Sequence, residues 1–525
     1  MRDFHLPGRS PVFATNGLCA TSHPLATKTA IDTLQAGGNA MDAAIAGAVL
    51  LGLCEPAMTG IGGDCFVLWS DADRKNVRAL NGSGRAPAAL DAAWLRDQGE
   101  TAVPIFNAHA VTIPTAISAF AHLAGTVGKL GLDRLLAPSI HYAEAGIPVP
   151  PRVAFDWGNY AHNLQGSARD TFLNKGEPFR TGEMFYAPGQ AEVLRRVAKD
   201  GPSAFYTGEV AEDMVNSLRA AGGLHTLEDF ANASCDETSP ISGTYKDIEV
   251  VEHPPNGQGA TALLMLNILA QFDIASMEPS GTERAHIEAE ATKLAYDARN
   301  RFLSDPDYMT RLDHMLDMDL AKELAALIDS KKAMAAAAPL TEAVHKETIY
   351  ITVVDKDGMA VSLIYSIFKD FGSGIASDKF GVLLQNRGGG FTLEEGHPNE
   401  LKGGKRPMHT IIPAMLKKNG KVIMPFGVMG GAYQCCGHAR VVTNMIDFGM
   451  DPQAALDAPR CFSDQGDMQV ERGYSDQVHQ ELADMGHNVS IPHTAIGGAQ
   501  AILMHDSGVL EGASDPRKDG SALGY

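Results

Sequence analysis

The chain has 525 residues, of which 45% are hydrophobic and 20% charged, and this indicates a globular protein with a large buried core. Its formal net charge is −20, from 43 basic and 63 acidic residues, which argues against nucleic acid or an anionic membrane as a partner, since both require a basic face. No apolar run reaches the roughly 18 residues that span a bilayer, and residues 1–7 lack the apolar core of a signal peptide. These features predict a cytoplasmic protein that acts on a small molecule.

The cysteines and histidines predict neither disulfides nor a metal site. The seven cysteines are scattered and form no CxxC pair, and the vicinal Cys435 and Cys436 have an unusual spacing for a structural disulfide. The 18 histidines include no HxxxH pair. We therefore expect reduced thiols, no metal and no other cofactor.

The amino-terminal region predicts two packed helices and then a strand. Residues 24–36 have helical periodicity and end at Gly37-Gly38, a common C-terminal signal of helices. Asn39 is then placed to cap a second, Ala-rich helix. The glycine-rich segment 59–63 precedes the strand-like run 65–69 instead of following a strand, which argues against a phosphate-binding loop.

The predicted secondary structure changes from mostly helix to strand at Thr348. From about 115 to 345 it is mostly helical, for example at 283–303, and it ends in a polar, low-complexity stretch that indicates an exposed segment. A β-branched and aromatic run from Thr348 then predicts a hairpin with strands at 348–354 and 359–365. Further strands are predicted at 380–386, 411–417 and 421–426, and helices at about 437–448 and 475–485.

Thr348 has two interpretations. A threonine that opens a strand is usually just a good strand former. If the Glu347–Thr348 bond were cut, however, the new α-amino group, with an ordinary pKa of about 7.7–8, would be a base for the adjacent hydroxyl. One residue would then supply both nucleophile and base. Before the cut, the same hydroxyl could attack the preceding carbonyl and cleave the chain through an N→O acyl shift.

Ordered motifs along nearly the whole chain resemble the γ-glutamyltranspeptidases. The segment from Thr348 to Ser362 is similar to the start of the small subunit of that family, and the other matching segments are 36–44, 60–63, 371–375, 381–386, 405–407, 430–431 and 512–517. The resemblance implies an α+β fold, the αββα sandwich of N-terminal-nucleophile hydrolases. It also implies a proenzyme cut into a helix-rich large subunit, 1–347, and a small subunit, 348–525. The two would form a heterodimer, and pairing of two such heterodimers is left open.

The resemblance assigns catalytic roles by position. Thr348 becomes the nucleophile, freed by scission after Glu347, and Ser366 stands where the family has a second hydroxyl that bonds to it. Gly430 and Gly431 match the diglycine of the oxyanion hole, whose N–H groups meet the developing negative charge. Taken alone, Ser366 is an ordinary strand residue and the glycines are an ordinary turn.

The positions that hold the glutamyl group in the family differ in this chain. The family Asp that receives the substrate ammonium is replaced by Gly390, and a family Asn by Phe368. Two serines that bind the α-carboxylate are replaced by His409 and Thr410. An ammonium would have no evident partner, and a buried unpaired charge is costly. The sequence therefore disfavours γ-glutamyl transfer.

The remaining residues suit an anion without an amine. Arg85 lies about two residues from the position of the family's carboxylate-binding Arg, and Arg387 offers a second guanidinium. His409 and Thr410 would add hydrogen bonds, and Phe368 would narrow the pocket. Each arginine has the alternative of a structural ion pair.

Within the family, this combination is most similar to the oxamate amidohydrolases of purine (allantoin) breakdown. The predicted reaction converts oxamate to oxalate and ammonia. Three alternatives remain: a γ-glutamyl hydrolase or transpeptidase (glutathione hydrolase), an enzyme like the cephalosporin and glutaryl acylases, and an uncleaved scaffold without catalysis.

Overall fold

The computed structural model describes residues 8–334 and 348–525. Glu347 and the low-complexity residues from 335 onwards lie outside the described residues. The strands are β1 (Val12–Ala14), β2 (Gly17–Thr21), β3 (Asp64–Ser70), β4 (Val77–Gly82), β5 (Ile147–Pro148), β6 (Met184–Phe185), β7 (Asp236–Thr238), β8 (Ile241–Tyr245), β9 (Ile248–Glu252), β10 (Ile349–Asp355), β11 (Ala360–Ser366), β12 (Pro413–Lys418), β13 (Lys421–Met429), β14 (Cys461–Asp464), β15 (Asp467–Val470), β16 (Val489–Ser490), β17 (Gly498–Met504), β18 (Leu510–Ser514) and β19 (Ser521–Gly524).

The helices are α1 (Pro24–Gln35), α2 (Ala40–Cys54), α3 (Ala92–Asp97), α4 (Ala116–Thr126), α5 (Leu132–Ala145), α6 (Pro151–Tyr160), α7 (Ala168–Phe172), α8 (Pro188–Asp200), α9 (Ser203–Tyr206), α10 (Gly208–Ala220), α11 (Leu227–Ala231), α12 (Gly259–Leu269), α13 (Thr282–Phe302), α14 (Leu312–Leu316), α15 (Met318–Ala325), α16 (Gln434–Ile446), α17 (Pro452–Asp457) and α18 (Asp476–Asp484). Within the described residues, no helix combines the length and apolar content needed to cross a membrane.

The first two helices form as their sequences predict. Pro24 opens α1, where its missing N–H costs nothing, and Asn39 caps α2 in a reciprocal capping box with Asp42. Every residue of α2 is buried. Its small side chains allow close packing, and it lies against β10 and β11, directly behind the strands that carry the predicted nucleophile.

Two seven-stranded sheets form the centre of the molecule. One has the order β19-β2-β10-β11-β3-β4-β7, and the other has the order β1-β18-β17-β13-β12-β9-β8. In both sheets, strands that precede Thr348 pair with strands that follow it: β10 lies beside β2, and β12 lies beside β9. The two halves of the sequence are therefore one folded unit.

The sheets pack face to face with helices on both outer sides. A small cluster of buried apolar side chains lies between them, formed by Phe66, Tyr350, Ile364, Ile411 and Met429. A larger core joins α1, α2 and α4 to the first sheet, and another joins α12, α13 and α16 to the second. This arrangement is the predicted αββα sandwich, so the α+β fold class is confirmed.

One local prediction is wrong and another is incomplete. The segment 380–386 is not a strand: it makes only isolated bridges, between Leu383 and Ala376 and between Leu384 and Gly62. Its apolar residues are buried against helices and loops, so their burial does not require a ladder. The region 115–345, expected to be mostly helical, also contributes β7 to β9, because the edges of both sheets require strands from this half.

Candidate active site

The predicted nucleophile lies opposite its predicted hydroxyl partner. Ile349 pairs with Tyr365 in the antiparallel ladder of β10 and β11, and this register sets Thr348 beside Ser366, the last residue of β11. Their hydroxyl oxygens are 3.4 Å apart, and both side chains are buried. The sequence-based pairing of these two residues is therefore seen in the geometry.

A backbone donor determines how the Ser366 hydroxyl can be used. The Phe368 N–H donates to Ser366 Oγ at 2.8 Å, so this oxygen already accepts a hydrogen bond. Its own hydrogen can then be directed to Thr348 Oγ1. Phe368 adopts a φ of +77°, which few bulky residues adopt, and this turn points its N–H back at the serine. Either hydroxyl can be the donor in the contact between Thr348 and Ser366, and the bond from Phe368 leaves the Ser366 hydrogen available for it.

The diglycine closes β13 and precedes α16. Gly430 and Gly431 have φ values of +124° and +54°, which favour glycine at both positions. A Cβ on Gly430 would also lie 3.0 Å from the Cα of Gly497. Gln258 stabilises this turn, because its Nε2 donates to the carbonyls of Gly431 (3.0 Å) and Thr410 (2.6 Å).

Arg387 is a fully buried cation in the loop that follows β11. Its Nη1 donates to Thr410 Oγ1 at 3.0 Å, and its guanidinium carbon lies 4.1 Å from the centre of the Phe368 ring. Within residues 8–334 and 348–525, its Nε and Nη2 atoms have no hydrogen-bond partner. Burial lowers the pKa of Arg387 to about 9, and the charge of Asp64 opposes that effect. The residue remains charged near neutral pH.

Asp64 is the counter-ion of Arg387, with 3.9 Å between its Oδ2 and the Arg387 Nε. Both are 0% exposed. Neutral groups hold the carboxylate: Gln385 Nε2 (2.7 Å) and the Gly84 N–H (3.1 Å) donate to Oδ1, and His409 Nε2 lies 3.0 Å from Oδ2. Burial raises the pKa of Asp64 to about 6, against the opposing effect of Arg387.

His409 and Thr410 contact this ion pair from the loop before β12. The His409 Nδ1 accepts from the Ile411 N–H at 3.4 Å, so its Nε2 carries the hydrogen that is donated to Asp64. Burial and the nearby Arg387 keep the pKa of His409 well below its usual range, which makes the ring neutral. In this arrangement, both ring nitrogens of His409 are engaged by the protein, and Thr410 accepts from Arg387.

Arg85 lies in a different environment. Its guanidinium is 3.8 Å from Asp236 and 3.6 Å from Asp305, and Nη1 donates to the carbonyl of Gly404 at 3.0 Å. Its side chain is 40% exposed. Among the described residues, these contacts of Arg85 include neither Arg387 nor Thr348.

Three residues of this site were missed in the sequence. Asp64 follows the glycine-rich segment, Gln385 precedes Arg387 in a matching motif, and Gln258 lies far from both. An acidic residue at the start of the otherwise apolar strand β3 was the available signal for Asp64. Nothing in the sequence indicated that Asp64 pairs with Arg387, which lies more than 300 positions away.

One cluster has the composition of a metal site. His286, Glu290 and His487 place one ligand atom each within 4.8 Å of one another. The two imidazoles bond to each other at 2.8 Å, and the Lys293 ammonium lies 2.6 Å from Glu290. Protein groups therefore satisfy this cluster without a cation, and the absence of a metal stays a prediction.

Comparisons with known proteins agree with this geometry. The family model for γ-glutamyltranspeptidase matches residues 26–525. The glutathione hydrolase-like YwrD proenzyme of Bacillus subtilis is 35% identical over 98% of this chain and 99% of its own. The oxamate amidohydrolase proenzyme of Klebsiella pneumoniae is 32% identical over 98% and 99%.

A solved structure extends the comparison to the fold. The crystal structure of cephalosporin acylase from Bacillus halodurans superimposes with a TM-score of 0.92 at 38% identity, covering 100% of this chain and 99% of that one. The chain therefore belongs to the γ-glutamyltranspeptidase family of self-processing N-terminal-nucleophile hydrolases, which act on amide bonds.

Proposed function

We propose that the mature protein hydrolyses a small amide that carries a carboxylate and no α-amine, with oxamate as its substrate. The observation that carries this proposal is the buried Arg387, whose Nε and Nη2 have no hydrogen-bond partner within the described residues. These two atoms form one edge of the guanidinium and match the two oxygens of a carboxylate. Oxamate joins its carboxylate directly to the amide, so one arginine and an oxyanion hole suffice to bind it.

The reaction begins with scission after Glu347, which gives Thr348 a free α-amino group. That amine takes the hydroxyl proton as Oγ1 attacks the amide carbon, and Ser366 donates a hydrogen bond to the nucleophile. The N–H groups at Gly430 and Gly431 stabilise the tetrahedral oxyanion. Ammonia leaves with the returned proton, and water then hydrolyses the oxalyl ester to oxalate.

Among the described residues, no acid other than Asp64 forms an ion pair with Arg387 that a substrate ammonium could use. The one acid in contact with Arg387 is Asp64, as far as the described residues show, and it is already bonded to Gln385, Gly84 and His409. Gly390, at the position of the family's ammonium-binding Asp, offers no side chain. These features support an acyl group without an α-amine and disfavour γ-glutamyl substrates.

A longer dicarboxylic acyl group is the second candidate. It is favoured by the close structural similarity to cephalosporin acylase, with a TM-score of 0.92. Such a group would place its terminal carboxylate on Arg387 and its amide at Thr348. The distinction from oxamate then depends on the length of the acyl group, which the ring of Phe368 limits.

Four amides test the proposal on the mature enzyme. Ammonia release from oxamate is compared with release from oxamide, which has no carboxylate, and glutaryl-p-nitroanilide is compared with γ-glutamyl-p-nitroanilide, which adds only the α-amine. We expect oxamate to exceed oxamide, and glutaryl to exceed γ-glutamyl. Faster turnover of the γ-glutamyl compound than of the other three would defeat the proposal. A preference for the glutaryl compound over oxamate would select the acylase alternative.

A further inference from the structure

We infer that a substrate carboxylate which binds Arg387 must share that guanidinium with Asp64, so that capture of the anion is coupled to uptake of one proton by Asp64. The inference rests on the proposed function, because it needs a carboxylate at Arg387. Asp64 would then be a specificity-determining residue that is absent from the sequence-based prediction. It makes the site select acids by charge as well as by shape.

Arg387 and Asp64 form an ion pair of unusual geometry. An arginine beside a carboxylate commonly makes two parallel hydrogen bonds to it. Here the closest approach is 3.9 Å, because the Asp64 oxygens are held by the neutral donors Gln385, Gly84 and His409. Asp64 therefore neutralises Arg387 without occupying its donors.

A substrate carboxylate would bind at the free edge of Arg387, next to Asp64. The free edge of Arg387 consists of Nε and Nη2, and Nε is also the atom closest to Asp64 Oδ2. A carboxylate on that edge would lie within a few ångströms of Asp64, and both residues are 0% exposed. Two anions that share one buried cation disfavour each other's charge, and one of them takes up a proton.

Asp64 is the group that we expect to take up the proton. Burial already raises the pKa of Asp64 to about 6 in the free protein, so an added anion raises it further, towards neutral pH. The other charged group that acts on Asp64 is Arg406, which favours the ionised form, and His409 is neutral. The Cys65 thiol and the Tyr206 phenol also interact with Asp64, and burial raises the pKa of each, so both are neutral. After scission, the α-amino group of Thr348, with an ordinary pKa of about 7.7–8, is a further titratable group of the site.

The affinity for a carboxylate should depend on pH. Above about pH 6, the free protein holds Asp64 ionised, whereas the complex holds it protonated, so each rise of one pH unit weakens binding by up to about tenfold. Below about pH 6, Asp64 is protonated in both states and its contribution disappears. Affinity for a carboxylate should therefore increase as the pH falls from 8 to about 6 and then level off.

Calorimetry of oxalate binding to the mature enzyme tests this inference. Titrations near pH 7 are run in phosphate and in Tris, whose ionisation enthalpies differ. We expect wild type to take up as much as one proton per oxalate and Asp64→Asn to take up none. Glu252→Gln is the matched control, because it removes another fully buried carboxylate, paired with His438, and should behave as wild type does.

The outcomes separate the two proposals. Oxalate binding by wild type with equal heats in both buffers would overturn the inference and leave the proposed function intact. Equal proton uptake by wild type and Asp64→Asn would also overturn it, since the proton would then reside on the Thr348 amine. No oxalate binding by wild type would overturn the proposed function and the inference with it. If Asp64→Asn fails to fold, Asp64→Ser serves as the second neutral variant.

Discussion

Two arginines compete for the role of carboxylate ligand, and their surroundings differ. Arg387 is fully buried, is neutralised at a distance by Asp64, and keeps two donor atoms without partners among the described residues. Arg85 is 40% exposed and is already paired with Asp236 and Asp305. A desolvated guanidinium with unused donors gains most from a bidentate anion, so the structure favours Arg387 for this proposed role.

Arg387→Lys tests this assignment. Lysine keeps the charge but lacks the planar fork, so KM for oxamate should rise roughly 10- to 100-fold, while kcat changes less. Self-cleavage should continue, since Thr348 and Ser366 are unchanged. Arg85→Ala is the matched control and should leave KM within about twofold, as expected for a surface ion pair. The reverse result, a large effect of Arg85→Ala only, would assign the carboxylate to Arg85.

At the scale of elements, the segment that follows β11 stores strain close to Thr348, the predicted nucleophile. Phe368 and Phe371 have φ values of +77° and +61°, and such conformations cost on the order of 1–3 kcal/mol each in a bulky residue. The ring of Phe371 packs near Trp157 and Phe172, with centroids 5.9 and 6.0 Å away, and its N–H donates to the Ala57 carbonyl. The contacts of Phe371 therefore hold the end of the short segment that places the Phe368 ring against the Arg387 guanidinium.

Phe368→Asn separates the backbone role of this residue from that of its ring. Asparagine tolerates the left-handed conformation, so the N–H to Ser366 should persist and self-cleavage should remain. The loss of the ring over Arg387 should lower kcat/KM for oxamate roughly tenfold, since a desolvated cation–π contact contributes about 1–2 kcal/mol. Rates with glutaryl-p-nitroanilide should fall less, because the pocket widens. An unchanged ratio of the two rates would argue against Phe368 as the limit on acyl length.

At the scale of the whole molecule, the predicted cut at 347/348 divides the sequence but not the fold. In the first sheet, the hairpin of β10 and β11, which follows the cut, lies between β2 and β3, which precede it. In the second sheet, β12 pairs with β9, and β18 pairs with β1. Separation of the two chains would break several ladders and open both cores.

The large and small chains should therefore remain associated after scission. We expect two bands on a denaturing gel and one peak in native size-exclusion chromatography. Thr348→Ala removes the hydroxyl that attacks the preceding carbonyl, so it should give a single band near 55.7 kDa and no turnover. Cleavage that persists in this variant would place the processing nucleophile elsewhere. Separate native peaks for the wild-type chains would contradict the interleaved sheets.

The sequence alone was sufficient for features that depend on neighbours along the chain. The capped helix α2 and the hairpin of β10 and β11 follow from local periodicity, capping and turn chemistry. The pairing of Thr348 with Ser366 was expected only from the resemblance to the family. The family and its sandwich were predicted from ordered motifs. The strand expected at 380–386 failed because an apolar run indicates burial but not the partner that buries it.

Only the tertiary structure decided which charges meet. Asp64 and Arg387 lie on different elements more than 300 positions apart, and neither residue type indicates the other in the sequence. His409, predicted to bind substrate, forms a bond to Asp64 across 345 positions that the sequence did not indicate. Local patterns specify helices, turns and strands because their interactions span a few residues. The strength and the pKa of a buried ion pair depend on groups that only the closed sandwich brings together.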